Sequence, residues 1–142
     1  MPEILLPNEL VGFKIRKLHN RLSKQWGQLT DERGLKLSAV QAGILMFIRA
    51  YSGLTQKDLA GLLKVDASTM SQALLPLLER KLIMKIQHPG DRRKFKMILS
   101  EEGTNMLGDI SYVFKQRQKD LPGDLTQDEI KTLHRLLDKM IS

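Results

Sequence analysis

Between residues 8 and 33 the apolar positions Val11, Ile15, Leu18, Leu22, Trp26 and Leu29 recur at intervals of 4, 3, 4, 4 and 3. That spacing draws one stripe down a long helix. Asn8 after Pro7 suits an N-cap, and Gly34 suits a stop. Ser38-Ala39-Val40-Gln41 has the form of a capping box. The helix it opens carries Val40, Ile44, Leu45, Phe47, Ile48 and Tyr51 and ends at Gly53. It is apolar around most of its circumference, which predicts the most buried helix. Thr55-Gln56-Lys57-Asp58 opens the next, with Leu59, Leu62 and Leu63 as its core face. Asp66 caps a further helix in which Met70, Ala73, Leu74, Leu77 and Leu78 face inward. Ser68, Thr69, Ser71, Gln72 and Leu75 are then turned outward. Only Lys64 and Val65 separate these two short helices, the signature of a helix-turn-helix. Pro76 removes a backbone donor and is expected to kink or loosen the second helix near Gln72.

The period then changes to two. Met84 and Ile86 alternate with Lys85 and Gln87, and Phe95, Met97 and Leu99 alternate with Lys94, Lys96 and Ile98. This predicts a β-hairpin whose single buried face carries those apolar residues. Its tip is His88-Pro89-Gly90-Asp91-Arg92-Arg93-Lys94. Ser100-Glu101-Glu102 caps a helix striped by Met106, Leu107, Ile110, Val113 and Phe114, broken at Leu121-Pro122-Gly123-Asp124. Thr126 to Glu129 caps the last helix, with Ile130, Leu133, Leu137 and Met140 or Ile141 on one face. The predicted fold is mostly α with a small β-hairpin wing. It reads as one domain over 8–142, with a winged helix-turn-helix lobe at 36–100. Within that lobe the helix-turn-helix spans about 55–78 and the wing about 83–99, flanked by dimerisation helices at 8–34 and 101–142.

Composition narrows the function. The chain has 142 residues, 42% of them hydrophobic, enough to fill a core. No apolar run approaches the ~20 residues of a membrane helix. The first residues lack the pattern of a signal peptide, so a cytoplasmic protein without membrane contact is expected. With no cysteine, disulfides and thiolate metal sites are excluded. The net charge of +7 favours a polyanion if it is concentrated on one face.

The second helix of the pair is the natural recognition helix, whose N-terminal residues face base edges in the major groove. Gln72 can pair with adenine, and Ser68, Thr69 and Ser71 with phosphates or bases. The start of the preceding helix adds Thr55, Gln56 and Lys57, and Leu75 completes the outward face. At the wing tip, Arg92, Arg93 and Lys94 can lie along phosphates or enter a narrow minor groove. An acid at such a tip would repel phosphate, so Asp91 is assigned the role of orienting a neighbouring arginine.

Leu54-Thr55, Leu59-Ala60, Ser68-Thr69-Met70-Ser71, Leu77 and Leu82-Ile83, then Asp91-Arg92-Arg93 and Leu99-Ser100-Glu101-Glu102-Gly103, resemble the MarR family of bacterial regulators. The resemblance covers nearly the whole chain. It implies homodimers on pseudo-palindromic operators, usually repressors, often released by a small anionic or phenolic ligand. It implies a recognition role for 68–75, an orienting role for Asp91 and a minor-groove role for Arg93. The chain departs from the pattern at Gln72, where arginine is frequent. It departs again at Pro76, where a polar residue is usual, and at Lys81, which replaces a glycine before Leu82-Ile83.

The apolar stripes of the outer helices exceed what a small winged helix can cover, which predicts a two-fold dimer. Leu10, Val11, Leu18, Ile130, Leu133, Leu137 and Ile141 are the interface candidates. Such a dimer would set two recognition helices roughly 34–36 Å apart, one DNA turn. The resemblance implies an effector site near Arg16, His19 and Phe47. No cofactor is called for. An enzyme finds little support: His19, His88 and His134 lack metal-ligand spacing. The acid pairs sit at helix starts, and no phosphate loop is present. The remaining alternatives are a winged helix used for protein contacts, or an activator without a ligand.

Overall fold

In the computed structural model, which describes residues 1–142, five helices start on the caps that the sequence marks. Ser38 accepts from the Gln41 amide, Thr55 from Asp58, Asp66 from Thr69, Ser100 from Gly103 and Thr126 from Glu129. The elements are α1 (Val11–Glu32), α2 (Ala39–Ala50), α3 (Gln56–Leu63), α4 (Ala67–Glu79), β1 (Ile83–His88) and β2 (Asp91–Leu99). They continue with α5 (Glu101–Asn105), α6 (Leu107–Asp120) and α7 (Gln127–Ile141). Two compact units result, one of Trp26–Val113 and one of Met1–Gln25 with Phe114–Ser142. The division cuts through α1 and α6.

The unit Trp26–Val113 holds the core. Ile44, Leu45, Leu59, Met70, Leu77, Ile83, Ile110 and Val113 have their side chains fully enclosed, and α2 has more buried residues than any other helix. The Trp26 indole N–H donates to the Leu37 carbonyl at 2.9 Å, fixing the loop that leads into α2. Three helices end in the same way. The amides of Leu35, Val65 and Leu82 reach back to the carbonyls of Thr30, Ala60 and Leu77, as in a Schellman motif. The residue before each turns left-handed: Gly34 at φ 65°, Lys64 at φ 54° and Lys81 at φ 57°. Lys81 thus holds the conformation that a glycine would take more easily, and the departure at this position leaves the turn intact. α4 runs unbroken through Pro76, because Leu74 and Leu77 on either side are anchored in the core.

The hairpin corrects one expectation. Its register pairs Ile83 with Leu99, Met84 with Ile98, Lys85 with Met97 and Ile86 with Lys96. Met84 and Ile86 therefore share a face with Ile98, not with Phe95, Met97 and Leu99. They are 45% and 36% exposed, while Ile83 is 1% and Met97 2%. Leu82 and Ile83 leave α4 already buried, and strand alternation then turns Met84 and Ile86 outward. Phe95 is also exposed, towards the tip. A third partner joins β2: the Met97 amide donates to the Leu54 carbonyl at 2.9 Å, and Thr55 bridges Lys96. This ties the residues before α3 to the wing.

α5 presses on the base of the hairpin. The Leu82 carbonyl accepts from the Ser100 amide at 3.0 Å, and the Ser100 hydroxyl is shared between the carbonyls of Lys81 at 2.7 Å and Leu82 at 3.0 Å. Gly103 is buried there, and a Cβ on it would collide with that same carbonyl oxygen. The Leu-Ser-Glu-Glu-Gly motif is thus a packing requirement. A single continuous helix was expected after Ser100; instead the Met106 amide bonds back three residues to Gly103, separating α5 from α6.

In the other unit, Asn8 is no cap. It lies inside a 3₁₀ turn, Pro7–Glu9, where the Leu6 amide donates to the Glu9 carboxylate at 3.0 Å. Val11, Leu18, Leu133, Leu137 and Ile141 are exposed, and Leu10 and Ile130 half-buried. α7 buries no residue at all although one of its faces is apolar.

Replacing Lys81 by glycine removes a left-handed strain of about 1–2 kcal/mol and restores part of it as chain entropy. Lys81→Gly should therefore raise stability by about 0.5–1 kcal/mol. The check is the denaturation midpoint at an unchanged slope; a lowered midpoint would show that Lys81 carries no strain.

Candidate nucleic-acid interface

Three elements of the unit Trp26–Val113 carry the candidate contacts: the start of α3, the outer face of α4 and the wing. On α4, Met70, Leu74 and Leu77 are anchored inward. Ser68, Thr69, Ser71, Gln72 and Leu75 are all exposed, Leu75 at 56%. The helix-turn-helix thus displays one polar stripe with a leucine at its end.

The start of α3 is more committed than the sequence suggested. The Thr55 hydroxyl accepts from the Asp58 amide at 3.1 Å, and the Thr55 amide donates to the Asp58 carboxylate at 2.9 Å. Those bonds from Thr55, backbone first, hold the Asp58 carboxyl below its ordinary range, with the charges of Lys94 and His88 acting in the same direction. Gln56 is half-buried, and its side-chain amide donates to Ser71 Oγ at 2.8 Å, joining α3 to α4. Lys57 is exposed. Asp66, hydrogen-bonded by Thr69 and then by Ser68, is likewise shifted down.

At the wing, Pro89 and Gly90 form the loop between the paired His88 and Asp91. The Gly90 amide donates to His88 Nδ1 at 3.2 Å. Asp91 hydrogen-bonds the backbone of the tip and stands close to the Arg93 side chain. Its Oδ1 accepts from the Arg93 amide at 2.9 Å and lies 3.6 Å from Arg93 Nε. The carboxylate is 34% exposed while the Arg93 side chain is 93% exposed. The acid is folded into the tip and the cation projects from it. Arg92 and Lys94 are exposed beside it, and the Arg92 carbonyl accepts from Gln87 Nε2 at 3.0 Å.

Between α3 and the wing runs an open cleft of about 1060 Å³. Lys57, Lys85, His88 and Lys94 line it together with Tyr51 and Phe95, and Lys85 Nζ stands 5.0 Å from the Phe95 ring centre. The sequence marked Lys85 only as a polar position alternating with Met84 and Ile86. The cleft itself has no sequence signal, because it depends on the Leu54–Met97 hydrogen bond. Of the effector candidates, Arg16 and His19 are exposed on α1 in one unit. Phe47 is half-buried in the other, stacked on Tyr51 at 6.2 Å.

Residues 37–95 match the model of the MarR family. A putative transcriptional regulatory protein for the hcr operon of Thauera aromatica is 30% identical over 131 residues, covering 92% of this chain and 78% of that protein. The HTH-type transcriptional repressor NicR of Pseudomonas putida is 29% identical over 133 residues, covering 94% and 83%. Among solved structures, Bordetella bronchiseptica BpsR, whose DNA binding is regulated by 6-hydroxynicotinic acid, superposes at a TM-score of 0.89 with 25% identity. The match covers 100% of this chain and 99% of BpsR. Escherichia coli MarR complexed with operator DNA shares the fold at a TM-score of 0.84 and 23% identity, covering 98% of this chain and 100% of that one.

The depressed carboxyl of Asp66 sets a pH dependence. A group whose pKa is lowered on folding stabilises the fold above its unfolded value, about 3.9, and loses that contribution as pH falls through the folded value. Asn caps as well as Asp but does not titrate. The advantage of the wild type over Asp66→Asn in thermal midpoint should therefore be largest near neutral pH and vanish or reverse near pH 3. An equal difference at both pH values would refute it.

Proposed function

The chain belongs to the MarR family of transcriptional regulators, and from that membership we propose that it acts as a homodimeric repressor on a pseudo-palindromic operator in double-stranded DNA. The observation that carries the reading is the braced tip, where Asp91 secures Arg93 and leaves its guanidinium in solvent. An arginine so held is suited to a narrow minor groove. The outward stripe of α4 suits the neighbouring major groove. The cations of the cleft between α3 and the wing, Lys57, Lys85 and Lys94, suit the phosphates of the DNA backbone.

A dimer is supported by the apolar residues of α1 and α7 left exposed, Val11, Leu18, Leu133, Leu137 and Ile141. Leu10 and Ile130 extend the same surface. Release by a small anionic or phenolic ligand is supported by the likeness to BpsR, and Arg16, His19 and Phe47 remain its candidate contacts. No helix is long and apolar enough to cross a membrane, and a regulator of this kind works by binding, in the cytoplasm, without catalysis.

Two measurements test this. Binding to promoter fragments at several salt concentrations should show Arg93→Ala weakened by about 1–3 kcal/mol if the side chain reads a groove. A phosphate contact alone would instead flatten the salt slope by about one unit. Unchanged binding would refute the wing assignment. Sedimentation at micromolar concentration should give a dimer, and Leu133→Glu a monomer; a monomeric wild type would remove the two-fold reading.

A further inference from the structure

We infer that Gln56 is a positioning residue that commits the Ser71 hydroxyl to donate a hydrogen bond to an acceptor atom on a base in the major groove. The inference rests on the DNA-binding reading above and adds to it which way one contact runs. Ser71 stands exposed on the outer face of α4, and Gln56 stands first in α3, across the turn. The Gln56 amide donates to Ser71 Oγ at 2.8 Å.

A hydroxyl inside a helix commonly returns its proton to the carbonyl four residues back. Thr30 does so to Trp26 at 2.7 Å, and Thr104 to Ser100 at 2.9 Å. Ser71 donates to no group of the protein. A hydroxyl has one proton and two lone pairs. Gln56 engages a lone pair, and the proton is left for a partner outside the chain. A free serine can meet either a donor or an acceptor and so discriminates poorly between bases. The bond from Gln56 competes with any outside donor and polarises the O–H. The favoured partners are then purine N7, guanine O6 and thymine O4, and the disfavoured ones the amino groups of adenine and cytosine.

The test begins by selecting a duplex from a randomised pool with the full wild-type chain. Affinities are then measured for the selected duplex, each of its single base-pair substitutions and a scrambled duplex. Ser71→Ala and Gln56→Ala should each weaken binding to the selected duplex by about three- to tenfold. The double variant should be no weaker than Ser71→Ala, and Ser71→Thr should retain affinity. Both single variants should lose base preference at the same base pair of each half-site, and should lose less affinity for the scrambled duplex than for the selected one. The inference is overturned if Gln56→Ala binds as the wild type does, if the two losses multiply, or if the loss is uniform across all substitutions. A uniform loss would mean a phosphate contact or a general loosening of α3 against α4. Failure of the wild type to enrich any sequence would overturn the DNA-binding reading itself.

Discussion

The carbonyl of Leu82 is the point on which the unit Trp26–Val113 turns. It lies where the end of α4 becomes the first strand, and it accepts the amide of Ser100, whose hydroxyl it shares with the Lys81 carbonyl. Gly103 packs against it so closely that no side chain fits. α4, the base of the wing and the start of α5 therefore share one junction. The Lys81 turn delivers Leu82 and Ile83 into the core, and the paired strands then carry the tip away from it. The junction joins the end of α4 to the strand that leads to the tip. A close-packed interior has little freedom to absorb a shift there.

The acids of this unit act locally. Asp58 and Asp66 hold helix starts, where their charge also meets the positive end of the helix. Asp91 holds the backbone of the tip. Arg33 illustrates the contrasting case of a cation that is fully engaged: it pairs with Asp109 at 2.8 Å and lies 3.5 Å over the Tyr112 ring. Arg92, Arg93 and Lys94 are displayed in solvent. The carboxylates of Asp58, Asp66 and Asp91 are thus turned towards amides, and the cations of the tip are left in solvent. The same logic links Asp58 to Lys94 and His88 across the cleft. That places a counter-charge beside the wing without covering it.

α7 follows another principle. It has a good cap at Thr126 and an apolar face with nothing buried. Most helical stability in water comes from packing an apolar face, not from intrinsic propensity. A helix of this kind lacks that source of stability until its apolar face meets a partner surface.

Local order was legible in the residues themselves. Caps at Ser38, Thr55, Asp66, Ser100 and Thr126 and the stops at Gly34 and Gly53 act within three or four residues of chain, so their meaning survives without the rest of the molecule. The helix-turn-helix, the wing and the brace by Asp91 follow from such short-range rules. The Asn8 cap and the unbroken helix after Ser100 failed locally; the other failures lie where partners are distant. Alternation shows that Met84 and Ile86 share a face, but which face is decided by Ile83 entering a core built from α2, α3 and α4. The left-handed Lys81, the cleft beside Lys85 and the bond from Gln56 to Ser71 likewise arise from contacts across the fold. The sequence determined most of the elements and which residues are candidates to meet DNA. Tertiary packing decided their register and which hydrogen bonds were left unused, because both depend on neighbours that chain order does not name.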